Sequence, residues 1–535
     1  FFRSGGALGE PFSVFSMAMS DPNADGIGSE LAPARSLCTL SLAEIVERFA
    51  DAGDDLTPSS MLEACIARIE NTEDRLNAFV LTTFDQAREQ AAASTRRWAT
   101  GKPLSAIDGV PLGLKDLFDT AGVTTAGGCH GLRDRVPDVD ADVVELLKAA
   151  GAVTVGKHSC TELASGAILN PHYREEVTCN PYDLRKTPGT SSGGTASSVA
   201  ACQVTGGIAT DTGGSIRGPA AYCGLTGMKP TFGLVSGRGV LPLSRSFDTP
   251  GPMCRSARDC ALLLSVLSGA DDGHSADSIA AIPRNVPRGK ELIAALATKP
   301  VGVKLAIVPS LMTGLSADVK AKFDEALTVF RRLGCEILEI EPLAGTRDEG
   351  LDCWELLSAI ILTEKAAYYS ELLETPDDVS PICRDTTLPY VNINLTNYVQ
   401  ALATRECVEA AFEQSLESRG IVAYVSPTTK VTAPTLPTSL AEVRARRMKV
   451  AKTAQSDSKA DKTLPTLPTL QNNAYNTMIF NITRQPSLAF PIGFDSEGMP
   501  TSCTLSGRKW HDAEVLQLAH AFQSATTHHL ALPGL

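Results

Sequence analysis

One lysine and two clusters of serine and glycine carry the chemistry open to this sequence. Ser191 and Ser192 stand ahead of a glycine pair in GTSSGGTASSVAA. Ser215 follows a glycine pair in DTGGSIRGP. Lys115 closes an apolar run in AIDGVPLGLKDLFDTAGVTTAGG. A serine hydroxyl is a weak nucleophile until a base takes its proton. A lysine serves as that base only when neutral, and burial favours its neutral form by removing water from the ammonium. Val110, Leu112 and Leu114 before Lys115 are compatible with such burial. A second serine can relay the proton between amine and nucleophile. Glycines ahead of Ser215 leave backbone N–H groups open to a developing oxyanion. Taken singly, each stretch also reads as a glycine-rich turn or a surface lysine.

Other patterns are weaker. GTSSG (189–193) fits the G-x-S-x-G nucleophile elbow, which needs a strand running into the serine. The preceding NPYDLRKTP, with Pro181 and Pro188, is no strand. GAVTVGKH (151–158) approximates a phosphate-binding loop, but His158 stands where a magnesium-binding hydroxyl is needed. SGRK (506–509) and SDSK (456–459) match S-x-x-K by little more than chance.

These residues need elements to hold them. Apolar spacing predicts a helix over 41–53, with Leu42, Ile45, Val46 and Phe49 on one face. DLTPSSMLEACIARIE reads as a second helix, capped by Thr57 or Ser59, and FDQAREQAAASTRRWA as a third, so the opening hundred residues read as helical. Helices and strands then alternate. DADVVELLKAAGA precedes the strand VTVGK, and TASSVAACQV precedes GGIATD (206–211). VKLAIVP, SADVKAKFDEALTVFRRLG and CEILEIEP read as strand, helix, strand. The pattern predicts an α/β fold: a single large domain with a mixed, mainly parallel β-sheet covered by helices on both sides. Residues 36–535 form that domain. Residues 1–35 read as a flexible arm, a processed start or vector-derived residues, and TLPTLPTL (463–470) as an extended loop.

Composition narrows the function. The net charge of −13 argues against a nucleic-acid partner. No stretch approaches the ~18 apolar residues of a membrane span. The first residues lack the continuous apolar core of a secretory signal. The 14 cysteines are scattered without a C-x-x-C pair, and the eight histidines lack zinc-ligand spacing. They read as buried thiols in a reducing, cytoplasmic protein with no metal site.

The serine clusters and the Lys-Asp segment resemble the amidase signature family. GTSSGGTASSVAA through DTGGSIRGPAAYCG follows that family's signature closely. KHSCTELASGA before it, GMKPTFGLVSGRGVLPLSRSFDTPGPMCRSARDCA after it, and the C-terminal FNITRQPSLAFPIGFDSEGMP extend the resemblance over about residues 40–530, weakest from 280 to 470. The resemblance implies a hydrolase of carboxamide, anilide or carbamate C–N bonds that works through a seryl acyl-enzyme, with no metal or organic cofactor. Ser215 would be the nucleophile, Ser191 the bridging serine after a cis peptide bond from Thr190, and Lys115 the base. The amides of Thr212, Gly213, Gly214 and Ser215 would form the oxyanion hole, and Ser165 would border the substrate. Two positions depart from the pattern: Thr190 replaces a common glycine, and Ser165 replaces a larger apolar residue. Arg217 reads as a tie between loops ahead of a substrate contact. The expected partner is a small-molecule amide or carbamate, with no nucleic acid or membrane, and a homodimer is one arrangement. Two alternatives remain: the A-type subunit of a tRNA-dependent glutamine amidotransferase, and a non-catalytic binding protein on the same fold.

Overall fold

Capping and amphipathic spacing set the first helices. Ser41 accepts from the Glu44 amide while Glu44 reaches back to the Ser41 amide, starting helix Leu42–Ala50. Asp51 ends it, ahead of the expected residue 53. Thr57, not Ser59, caps helix Pro58–Leu76, whose Met61, Leu62, Cys65, Ile66 and Ile69 are buried. Helix Phe84–Ala99 follows. The reading of an all-helical start needs one correction. Phe79–Thr82 is a strand, β1, because an edge of the sheet is open to it and pairs with it.

The computed structural model describes residues 36–51, 53–165, 176–269, 282–283, 285–340, 353–436 and 471–535. The arm read over 1–35, SDSK and TLPTLPTL lie outside them. Within the described residues the further strands are β2 (Pro111–Lys115), β3 (Val153–His158), β4 (Gly206–Asp211), β5 (Thr226–Lys229), β6 (Thr249–Cys254), β7 (Lys304–Ile307), β8 (Glu336–Glu339), β9 (Ala423–Pro427), β10 (Ser487–Phe494) and β11 (Pro500–Gly507). They form one sheet in the order β1-β3-β2-β4-β6-β5-β10-β11-β9-β7-β8.

The sheet is mixed, as helix–strand alternation suggests. Its parallel pairing lies in two blocks, β3-β2-β4 and β9-β7-β8. The centre, from β4 through β6, β5, β10 and β11 to β9, is antiparallel, so the parallel part is narrower than the alternation implied. Helices flank the sheet, and strand alternation shows how both faces are covered. Ile208 of β4 belongs to the apolar core that includes Leu112, Leu114 and Leu263, whereas Ala209 belongs to the core that includes Val153, Val155 and Val199. The described residues from Leu37 onward form one compact unit. None of the 14 cysteines, all among the described residues, forms a disulfide, and only Cys179 and Cys407 are not buried.

Three of the four weaker motifs fall among the described residues. No strand leads into GTSSG. GAVTVGKH supplies buried β3. Ser506 of SGRK lies in β11 against Ser487, 2.6 Å between hydroxyls, and Lys509 pairs with Glu409 at 2.5 Å.

β2 and β3 pack closely enough to dictate Gly113. A Cβ there would fall 2.0 Å from Cε1 of His158. That ring is fully buried, and burial holds its pKa down at about 3. Gly113→Ala is therefore expected to destabilise the protein by about 1–3 kcal/mol through overpacking. Urea titration checks it, and an unchanged midpoint would mean that the ring moves aside without cost.

Candidate active site

Parallel pairing of β2 with β4 brings two chain segments to one end of the sheet, with Leu114 opposite Ile208. Lys115 closes β2, and Thr210 lies two residues beyond Ile208. The Lys115 amine is fully buried. It lies 2.8 Å from the Ser191 hydroxyl and donates to Thr210 Oγ1 at 2.9 Å. No carboxylate is hydrogen-bonded to it among the described residues. Burial brings its pKa down to about 8, against the weaker upward pull of Cys160, Asp248 and Asp211.

Ser191 follows a cis peptide bond from Thr190. Its carbonyl accepts from the Thr161 amide at 3.2 Å. The chain then enters helix Gly193–Ala200, and the Ser192 hydroxyl donates to the Thr210 carbonyl at 3.3 Å. The two serine clusters are thus tied to each other across the end of β4.

The Ser215 loop is organised by Asp211, the last residue of β4. Its carboxylate accepts from the amides of Gly214 (2.8 Å) and Ile216 (3.1 Å), from Asn481 Nδ2 (2.8 Å), and from Nε and Nη2 of Arg217, each at 3.0 Å. Burial alone would raise its pKa, but the Arg217 charge and hydrogen bonds, with help from Lys229 and Asn481, hold it well below the usual range. Arg217 also donates to the Thr477 carbonyl (2.9 Å) and to Asn481 Oδ1 (2.6 Å). It is a loop tie, and every one of these partners is protein.

This arrangement corrects one expected oxyanion donor. The Gly214 amide is spent on Asp211 and does not face a ligand. The amides of Thr212, Gly213 and Ser215 carry no hydrogen bond to a described residue. Gly214 has another role. Its φ is +115°, and a Cβ would fall 2.3 Å from Thr477 Oγ1. Gly213 is less crowded: a Cβ there would make ordinary contact with Leu357 at 3.6 Å and Met478 at 3.9 Å. The Ser215 side chain is partly exposed and has no hydrogen-bond partner among the described residues.

The structure therefore brings Lys115 and Ser191 into contact and presents Ser215 on a loop tied to the same strand end. Ser165 lies four residues after Thr161, where its hydroxyl meets the Lys365 ammonium. Sequence reasoning missed Thr210, Asp211, Asp248 and Lys365. Asp248 accepts from the Thr212 hydroxyl at 2.6 Å, and burial pushes its carboxyl up to about 6. Asp211 and Thr210 were within reach, since both sit in the ATD that leads into the loop. Asp248 and Lys365 carried no local signal.

The amidase family model matches residues 60–516. This chain belongs to the amidase family. Among similar amidase-family proteins, the A-type subunit of glutamyl-tRNA(Gln) amidotransferase from Anaeromyxobacter sp. (strain K) is 40% identical over 309 residues, 58% of this chain. That match spans 61% of the relative's own length. The corresponding subunit of Acaryochloris marina (strain MBIC 11017) is 32% identical over 496 residues, covering 88% of this chain and 95% of that one. The crystal structure of native peptide amidase from Stenotrophomonas maltophilia superposes with a TM-score of 0.74 at 26% identity, over 91% of this chain and 96% of that one. No described helix is long and apolar enough to cross a membrane.

Because Arg217 and Asp211 are both fully buried, removing one partner strands the other's charge. Arg217→Met is expected to cost about 3–5 kcal/mol of stability. Calorimetric melting of the variant reads this directly. A loss below about 1 kcal/mol would show that the pair is not the organising contact of the loop.

Proposed function

We propose that this chain hydrolyses an amide-type C–N bond, with Ser215 as nucleophile, Ser191 as proton relay and Lys115 as base. The observation that carries the reading is the fully buried Lys115 amine 2.8 Å from the Ser191 hydroxyl. Burial, with two neutral hydroxyls as its hydrogen-bond partners among the described residues, favours its uncharged form over the weaker pull of Asp248 and Asp211. Family membership and the glycine pair before Ser215 support the same assignment.

The cycle conserves its protons. The Ser215 oxygen bonds to the substrate carbonyl carbon as its proton passes to Ser191 and the Ser191 proton passes to Lys115. The carbonyl oxygen becomes an oxyanion, stabilised by the amides of Thr212, Gly213 and Ser215, while the Gly214 amide stays bonded to Asp211. The Lys115 ammonium then returns a proton through Ser191 to the leaving nitrogen. The C–N bond breaks, the amine departs, and an ester on Ser215 remains. Water attacks that ester along the same relay, releasing the acid and restoring the Ser215 hydroxyl. The cycle as written uses no metal or organic cofactor. Its substrate is a small carboxamide, anilide or carbamate, and the chain works alone or as a homodimer, without nucleic acid or membrane.

A second reading has its own support. The amidotransferase relative from Acaryochloris marina aligns over 95% of its length. A glutamine-amidotransferase subunit would use the same serine chemistry on glutamine and pass on the ammonia. Purification of this chain with a partner subunit whose presence is required for glutamine hydrolysis would favour it. Turnover of simple amides by the isolated chain favours the first reading. A fluorophosphonate probe that fails to label Ser215 would favour a binding protein on this fold.

Ser215→Ala is expected to lower kcat by about 10⁴-fold or more. Hydroxylamine added to the parent should divert part of the acyl group to a hydroxamate, detectable by its ferric colour. A tenth of parental activity in Ser215→Ala would remove Ser215 as nucleophile, and absence of any hydroxamate from an accepted substrate would remove the ester intermediate.

The Lys115 pKa near 8 fixes the sign of the pH dependence. The base is the neutral form, so log kcat/KM should rise with unit slope below about pH 8 and flatten above it. Lys115→Arg should lose the activity, since a guanidinium stays charged and cannot accept the proton. Near-parental kcat/KM in Lys115→Arg would refute the general-base role.

A further inference from the structure

A second buried lysine borders the same site. Lys365 lies on helix Cys353–Tyr368 and is fully buried. Its ammonium donates to the Ser165 hydroxyl, and it lies 3.1 Å from the Cys383 thiol. No ion pair joins it to a carboxylate among the described residues. The nearest candidates are engaged elsewhere. Glu162 accepts from the amide and hydroxyl of Ser380, the amide at 3.0 Å. Glu364 accepts from the Ser244 hydroxyl at 2.7 Å, from both the amide (3.1 Å) and the hydroxyl of Ser246, and from the Tyr398 hydroxyl at 2.8 Å. A buried amine with only neutral hydrogen-bond partners has no built-in counter-charge, and an anion brought to it would favour its charged form.

Both members of the pair sit on elements that abut the reaction site. Ser165 ends the segment whose Thr161 amide binds the Ser191 carbonyl. The helix that carries Lys365 places Leu357 against Gly213. Eight residues of helix, about 12 Å of rise, separate Leu357 from Lys365. Helical side chains lean toward the N-terminus, which carries the ammonium back toward the Gly213 end. Ser165 is only partly buried, whereas Lys365 is fully so. Ser165 accepts from the ammonium, and the carbonyl of Glu162, 3.5 Å away, is a poor acceptor for its own proton. Among the described residues no better acceptor takes that proton, so it can turn to a ligand, and the ammonium behind it strengthens the donor.

We propose that Ser165 and Lys365 form a carboxylate-recognition point, so that the preferred substrate is an amide carrying a carboxylate a few bonds from the scissile carbonyl. The substrate's anion meets the Ser165 hydroxyl and supplies the charge that Lys365 lacks. The proposal rests on the amide-hydrolase reading only for what happens at the scissile bond.

Calorimetric titration separates the two. Glutarate carries the carboxylate of an acyl fragment, and β-alanine that of a leaving amine. Neither has a bond to cleave. At least one should bind the parent protein, bind Lys365→Met at least tenfold more weakly, and bind Lys365→Arg more tightly than Lys365→Met. With substrates, two ratios of kcat/KM are measured, glutaramate over pentanamide and N-butyryl-β-alanine over N-propylbutanamide. The ratio on the side that binds should exceed ten in the parent and fall at least tenfold in Lys365→Met, through KM. Ser165→Ala, a change at a partly exposed position, should lower the same ratio and guards against a Lys365 variant that fails to fold. If neither fragment binds, or if binding ignores both Lys365 and Ser165, the recognition point is refuted. If Lys365-dependent binding is intact and none of the four amides is cleaved, the recognition point stands and the hydrolase reading fails.

Discussion

One buried carboxylate shapes the centre of this protein. Asp211 ends a central strand and gathers the Gly214 and Ile216 amides, the Arg217 guanidinium and the Asn481 amide group. An isolated carboxylate at such depth would be neutralised, because the cost of stripping its water is severe. The bidentate guanidinium and the converging N–H groups reverse that balance. The loop following the strand is therefore not free to choose its conformation. It must present Gly214 at a positive φ, and it must leave the neighbouring amides pointing elsewhere. Ser215 inherits its position from this network.

The Lys115 environment is the complement. Where Asp211 has a guanidinium and several N–H donors around it, the hydrogen-bond partners of the Lys115 amine among the described residues are hydroxyls. The same absence of water therefore acts in opposite directions on two groups a few residues apart in space: the acid stays charged and the amine approaches neutrality. A low effective dielectric strengthens the one pairing and withholds the other. Asp248 lies between these extremes. It holds the Thr212 hydroxyl, and burial raises its carboxyl to about 6 with no cation bound to it.

Much of this is legible in the sequence alone. Helix Leu42–Ala50 and β4 are readable because local signals agree: a capping serine with an apolar face, and a short β-rich run between glycines. The cis bond and the Lys115–Ser191 pairing are expected only through the family resemblance that the serine clusters carry. What escapes is non-local. Phe79–Thr82 carries four residues of weak pattern and becomes a strand only because β3 offers an edge. The Gly214 amide looks free until Asp211, three residues earlier, is seen to fold back on it. Lys365 lies in an apolar helix far along the chain, where nothing nearby hints that its partner is Ser165. Such contacts depend on how distant segments pack, which spacing alone does not encode.

The Arg217 tie to Thr477 and Asn481 bears on how the protein is made. The signature strands and the Ser215 loop emerge from a ribosome early. The two residues that close the loop from the other side emerge some 260 positions later, as the separations of the Thr477 and Asn481 bonds record. Until helix Gln471–Ile482 is synthesised and docks, Asp211 and Arg217 lack part of their shell, and the wall that Thr477 sets against Gly214 is missing. During translation the nascent chain therefore carries Lys115, Ser191 and Ser215 before the frame around their loop is complete. The last of the loop's contacts is supplied by the C-terminal segment.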